Sequence, residues 1–213
     1  MNLPKTPALI AFLHELFDTN NEFANKHSDE FFAKFRDKQD PQLTIVLCSD
    51  SRVQMESFDN TPQNDIFAIR NIGNQIQTCE GSVDFGIEVL ETPFLLIIGH
   101  SNCGAVVAVF EKQVIESDAI NKELQTINIT SDCIHEAIIE NIDNQVSFAL
   151  KKYHSRVESG KLTIIGAVYD FKNDFGFGRG RVVLTNVNGI ADAELIKKQY
   201  KEEIKNLHCY HKK

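Results

Sequence analysis

Four short apolar runs constrain this 213-residue chain more than any other feature: residues 43–47 (LTIVL), 66–69 (IFAI), 94–98 (FLLII) and 162–168 (LTIIGAV). They do not alternate between polar and apolar positions. That is the habit of strands buried on both faces, and so of a parallel sheet. Segments with helical spacing lie between them, at residues 80–91, 103–112 and 131–156, the last as one long helix or two short ones. Strands separated by helices imply right-handed crossover units. A fifth run, residues 182–187 (VVLTNV), follows a different kind of connection. Residues 169–181 hold Gly176, Gly178 and Gly180 and show no helical period, which predicts a loop or hairpin and an antiparallel fifth strand at an edge. These glycines lack the strand-before, helix-after setting of a dinucleotide fingerprint. The expected fold is α/β, with a mostly parallel central sheet of four strands plus an antiparallel edge strand, flanked by helices. A helix over 191–207 closes the chain.

Ahead of the sheet, residues 5–18 and 22–37 each carry helical periodicity, with Asn20 and Asn21 interrupting them and Gln39-Asp40-Pro41 ending the second. The expected organisation is a single domain over 1–213, with an N-terminal helical arm at 1–38 and an α/β core at 39–213. Lys and Arg total 22 against 30 Asp and Glu, a net charge of −8, which disfavours nucleic acid as a partner. No run approaches the roughly 18–20 apolar residues of a membrane helix. The first residues show no signal-peptide pattern. Five cysteines, an odd number, read as reduced thiols in a cytoplasmic protein rather than as a disulfide framework.

The chemistry-bearing residues stand where strands end. The first run leads directly into Cys48-Ser49-Asp50-Ser51-Arg52, and the third into Gly99-His100-Ser101-Asn102-Cys103-Gly104. Open α/β sheets gather ligands outside the carboxyl ends of their strands. Cys48, His100 and Cys103 can therefore converge as a Cys₂His set that leaves one position of a zinc tetrahedron open, the arrangement of a catalytic site. Thiolate with imidazole favours zinc over magnesium or calcium. Asp50 and Arg52 can pair, which keeps the carboxylate ionised and oriented. A cysteine after a strand is by itself more often a small core residue. The neighbouring acid and guanidinium are what raise this one above that reading.

In order and spacing, Cys48-Ser49-Asp50-Ser51-Arg52, Arg70-Asn71-Ile72-Gly73-Asn74, Gly81-Ser82 and Gly99-His100-Ser101-Asn102-Cys103-Gly104-Ala105 resemble the β-class carbonic anhydrases, with the motif-rich part spanning residues 39–107. The resemblance implies one Zn²⁺ per subunit on Cys48, His100 and Cys103, with water or hydroxide as fourth ligand. It implies reversible hydration of carbon dioxide to bicarbonate. Asp50 would accept a hydrogen bond from the hydroxide and aim its lone pair, and Arg52 would hold Asp50. In a closed form of the family the aspartate moves onto the metal instead. Gln39 aligns with an amide that donates to substrate oxygen, and Phe67 and Ile72 with apolar pocket walls. Such residues reach the zinc from a partner subunit, which implies a homodimer or homotetramer.

Two positions depart from the family pattern. Phe85 stands where many members carry a tyrosine, so a pocket hydroxyl is lost. Ile45 stands where some bacterial members carry a tryptophan that helps hold inhibitory bicarbonate, so that site does not form in the same way. Two alternatives keep the same residues: a zinc hydrolase of carbonyl sulfide or carbon disulfide, and a non-catalytic bicarbonate-sensing or assembly protein. Arg70 reads as a structural bond or a subunit contact, and the basic tail at 208–213 (HCYHKK) as a frayed terminus rather than a second metal site.

Overall fold

The computed structural model describes residues 3–211, in two compact units divided between Asp40 and Pro41. The first unit is helical. Thr6 caps α1 (Pro7–Lys26), its hydroxyl accepting the Leu9 N–H at 3.2 Å, and Pro7 occupies the first turn, where its missing N–H costs nothing. Asn20 and Asn21 do not interrupt this helix. Asparagine is only about 0.5–0.7 kcal/mol poorer than alanine in a helix, and no glycine or proline stands there to end it. The break comes at His27 and Ser28, both extended, before the short α2 (Asp29–Ala33). That helix is much shorter than the spacing of residues 22–37 suggests. Phe23, His27, Phe31, Phe32 and Phe35 form one aromatic cluster with ring centroids 4.1–6.4 Å apart. Neither helix buries a residue, and Ile10, Phe12, Leu16 and Phe17 remain exposed on α1.

In the second unit, β1 (Leu43–Cys48), β2 (Ile66–Asn71), β3 (Phe94–His100), β4 (Thr163–Asp170) and β5 (Arg181–Val187) form one sheet in the order β2-β1-β3-β4-β5. The first four strands are parallel, and β5 runs antiparallel at the edge, as the apolar runs and the glycine loop predict. β1 has β2 on one side and β3 on the other, so the winding of the sheet reverses between β1 and β3. The crevice outside the carboxyl ends at such a reversal is the preferred ligand position of an open α/β sheet. Cys48 closes β1 there, and His100 closes β3.

Helices line the face of the sheet that carries the main core. α3 (Glu80–Asp84) runs into a wider π turn over Phe85–Val89, where Leu90 N–H reaches back to the Phe85 carbonyl at 3.0 Å. α4 (Gly104–Phe110) follows β3, and α5 (Asp118–Leu124) is a helix that sequence periodicity does not reveal. Residues 131–156 resolve into α6 (Ile134–Lys152) and α7 (His154–Glu158), broken at Tyr153. α6 lays Ile138, Ile142, Val146 and Ala149 into the main core at helical spacing, with Leu95, Ile97, Ile164 and Val168 from the sheet. Gly99 and Gly166 let it sit close: a Cβ at either would fall within 3.0 Å of the Ile142 side chain. A smaller core on the other face gathers Ile45, Leu47, Val53, Ile98 and Ala167.

α8 (Ala193–Tyr200) is shorter than the expected 191–207, and the segment after it is not frayed. Leu184 N–H donates to the His208 carbonyl and Tyr210 N–H to the Leu184 carbonyl, both at 2.8 Å, and Cys209 is fully buried. β5 is an edge strand whose outer backbone groups need partners, and the tail supplies them. Lys212 and Lys213 lie outside the described residues. Among the described residues, no helix is long and apolar enough to cross a membrane.

Candidate metal centre

The crevice between β1 and β3 brings together what the sequence places at the strand ends. Cys48 ends β1, His100 ends β3, and Cys103 immediately precedes α4. One ligand atom from each lies within 4.8 Å of the others, and all three residues are buried. The two Sγ atoms are 3.9 Å apart. Zn–S bonds of about 2.3 Å at a tetrahedral angle put two sulfurs roughly 3.8 Å apart, so the spacing fits zinc. His100 supplies a second sign. Its Nδ1 faces the Ser101 carbonyl at 3.0 Å. A carbonyl only accepts, so in the neutral ring Nδ1 carries the proton and Nε2 presents its lone pair. That Nε2 is buried without a hydrogen-bond partner, a costly state for a polar atom unless something binds it. Among the described residues this is the one cluster of three or more such side chains close enough to share an ion.

The electrostatics favour a cation. The Cys48 thiol is pulled down to about 4, first by the hydrogen bond from Cys103, against the opposing effect of its own burial, with His100 and the Gly73 N–H assisting. Cys103 is pushed the other way, by holding the proton it shares with Cys48 and by its deeper burial. A dication replaces that shared proton and stabilises both sulfurs as thiolates.

Asp50 stands beside the cluster, its Oδ2 3.8 Å from His100 Nε2. Arg52 engages both carboxylate oxygens, Nε to Oδ1 at 2.9 Å and Nη2 to Oδ2 at 2.7 Å, and the Arg52 backbone N–H adds a third bond to Oδ1 at 2.9 Å. The guanidinium holds the Asp50 carboxyl well below the usual carboxylate range. Arg70, from β2, makes the structural bond expected of it. Its Nη2 donates to the carbonyls of Cys48, Asp50 and Val53 at 3.1, 2.9 and 2.6 Å, which pins the loop that carries Asp50.

An apolar cavity of about 400 Å³ opens beside Cys48 and Asp50, walled by Ile72, Ala105, Ala108, Ile115, Ile120 and Leu124. Of the expected substrate-contacting residues, only Ile72 lines it. Phe67 and Phe85 lie elsewhere and pack on each other, ring centroids 5.9 Å apart. Gln39 is exposed at the end of the first unit. Three contributors were not anticipated. α5 supplies part of the cavity wall. Asp170, fully buried, accepts the Ser101 hydroxyl at 2.7 Å and the amides of Asn173, Asp174 and Phe175, and so fixes the residue after His100. Phe171 touches both His100 and Arg52. Asp170 had a readable signal, since it ends β4 at the same sheet edge.

Comparison with known proteins agrees with this geometry. The family model described as carbonic anhydrase matches residues 43–176. A carbonic anhydrase of Synechococcus elongatus is 27% identical over 68% of this chain, and the match spans 62% of that protein's length. β carbonic anhydrase 3 of Arabidopsis thaliana is 28% identical over 75% of this chain and 70% of its own. In fold, the chain is similar to a structure of tetrameric β-carbonic anhydrases from Sordaria macrospora, with a TM-score of 0.68 at 19% identity, covering 86% of this chain and 100% of that one. With the Cys48–His100–Cys103 cluster at the β1–β3 crevice, these matches place the chain in the carbonic anhydrase family, in its β class.

Proposed function

We propose that this chain catalyses the reversible hydration of carbon dioxide to bicarbonate and a proton, with zinc held by Cys48, His100 and Cys103. The observation that carries this reading is the convergence of those three ligand atoms beside a carboxylate whose two oxygens are both locked by Arg52. Zinc, when bound, supplies a Lewis acid that makes hydroxide available as a nucleophile near neutral pH. Asp50 is ionised and can only accept, so it takes a hydrogen bond from the attacking oxygen and fixes the direction of its lone pair. Arg52 keeps Asp50 in that posture. The apolar cavity gives carbon dioxide a non-polar place beside the metal ligands. Ile72 is one of its walls.

Gln39 donates to a substrate oxygen and Phe67 adds an apolar wall, both in the site of a partner subunit, so the active unit is a homodimer or a pair of dimers. The arm and core then act as one domain, with the exposed apolar face of α1 turned to the partner. Phe85 leaves the site without a hydroxyl to orient bicarbonate. The five free cysteines fit a reducing, cytoplasmic setting.

The pH dependence follows from the ligand set. Two thiolates offset the charge of the ion, so it acidifies water less than in a three-histidine site, where ionisation falls at ~7. Asp50 adds nothing to the titration, because Arg52 keeps it charged throughout the working range. The rate of ¹⁸O exchange between carbon dioxide and water should therefore climb from about pH 6.5 to 9. A flat profile in zinc-replete protein would contradict this assignment, and turnover of carbonyl sulfide with none of carbon dioxide would move the substrate to the sulfur analogues.

A further inference from the structure

We propose that Phe171 is a positioning residue, one ring that fixes the imidazole of His100 and the guanidinium of Arg52 relative to each other. This role rests on the carbonic anhydrase reading of the site. The β3–β4 register sets His100 opposite Tyr169, and the chain leaves β4 at Asp170, so residue 171 falls over the end of β3. There the Phe171 ring stacks on His100, with centroids 5.8 Å apart and planes inclined by 26°. The same ring carries the Arg52 guanidinium, whose Cζ lies 4.7 Å from its centroid.

The geometry divides the guanidinium between two kinds of support. Its in-plane donors go to Asp50, with a further contact from Nη2 to the Asn102 carbonyl at 3.3 Å. Those bonds fix its edge but leave its tilt free about the Asp50 carboxylate. The aromatic face restrains that tilt, and a planar cation on a ring is favoured electrostatically. The restraint matters because the Arg52 side chain is 46% exposed and its polar bonds hold only the edge of the guanidinium. Phe171 is itself braced. Tyr169 meets it edge-on at 5.9 Å, and Phe58 meets Tyr169 in the same way at 5.4 Å. Asp170, the preceding residue, is tied by three loop amides and Ser101. A rigid ring therefore links a metal ligand to the ion pair that orients the attack.

Phe171→Leu keeps an apolar side chain and removes the aromatic face. It should lower kcat/KM for carbon dioxide about fivefold, the scale of one cation–π contact at a partly exposed site. Zinc content should stay at that of the parent. Phe171→Tyr should restore most of the loss. In an Arg52→Ala background, where there is no guanidinium to hold, Phe171→Leu should cost little more. A side chain that merely supported the fold would give the same loss in both backgrounds, and that result overturns the proposal, as does wild-type kcat/KM in Phe171→Leu. The parent, Phe171→Leu, Arg52→Ala and the double variant, all zinc-loaded, are compared by thermal unfolding midpoint, which needs no activity. Additive midpoints, with no coupling between positions 52 and 171, overturn the proposal even if the parent is inactive. Inactivity of the zinc-replete parent toward carbon dioxide overturns the functional reading alone.

Discussion

Cys48→Ser is expected to lose zinc and carbon dioxide hydration together, with the rate falling by at least about a thousandfold. A serine hydroxyl stays protonated at neutral pH and is a poor ligand for a borderline-soft ion, whereas the Cys48 thiol is already pulled down to about 4 by its surroundings. Binding energies of order 10 kcal/mol for zinc–thiolate sites leave ample room for a loss of that size when one of three ligands goes. The fold should weaken as well. Position 48 is 5% exposed at the end of a central strand, and a metal that binds only the folded chain stabilises it by mass action. Elemental analysis of the purified variant reads the first effect and thermal unfolding the second. Cys133→Ser is the control, because Cys133 is exposed and outside the cluster. Unchanged zinc stoichiometry in Cys48→Ser would remove that residue from the ligand set.

Asp50→Ala separates orientation from metal binding. Zinc should remain, since the three ligand atoms meet without the carboxylate. kcat/KM should drop about 10²–10³-fold, the usual range for removing one positioned group that interacts with the reacting atoms. The fold should tolerate the change. Arg52, left without its partner, is half-exposed and can turn to water, so no buried charge is stranded. Loss of zinc in Asp50→Ala would show that the carboxylate belongs to the coordination shell. Full activity would refute its orienting role.

The parts of this protein that a sequence displays are those set by one-dimensional pattern. Burial on both faces suppresses alternation, so β1 to β4 appear as apolar runs, and the glycine loop marks β5 as the odd strand. Cys48, His100, Cys103, Asp50 and Arg52 were legible because strand ends concentrate function and because thiolate, imidazole and a paired carboxylate have few joint uses. What stayed hidden depends on neighbours distant in sequence. α5 is only seven residues long, and Ile115, Ile120 and Leu124 follow no clean period. Asn20 and Asn21 lie within α1 because their modest propensity cost does not stop a helix. The ordered tail follows from the unpaired edge of β5, which exists only once the sheet is built. Phe171 looks like any aromatic residue after a strand until the sheet register places it over His100 and beside Arg52.

The most direct test is a zinc titration of chelator-stripped protein, followed by stopped-flow carbon dioxide hydration. The rate should be at background without metal, rise linearly with added zinc and break at one zinc per chain. Full hydration activity in the stripped protein, or zinc-saturated protein that stays at background, would contradict the assignment of carbon dioxide hydration to the Cys48–His100–Cys103 centre.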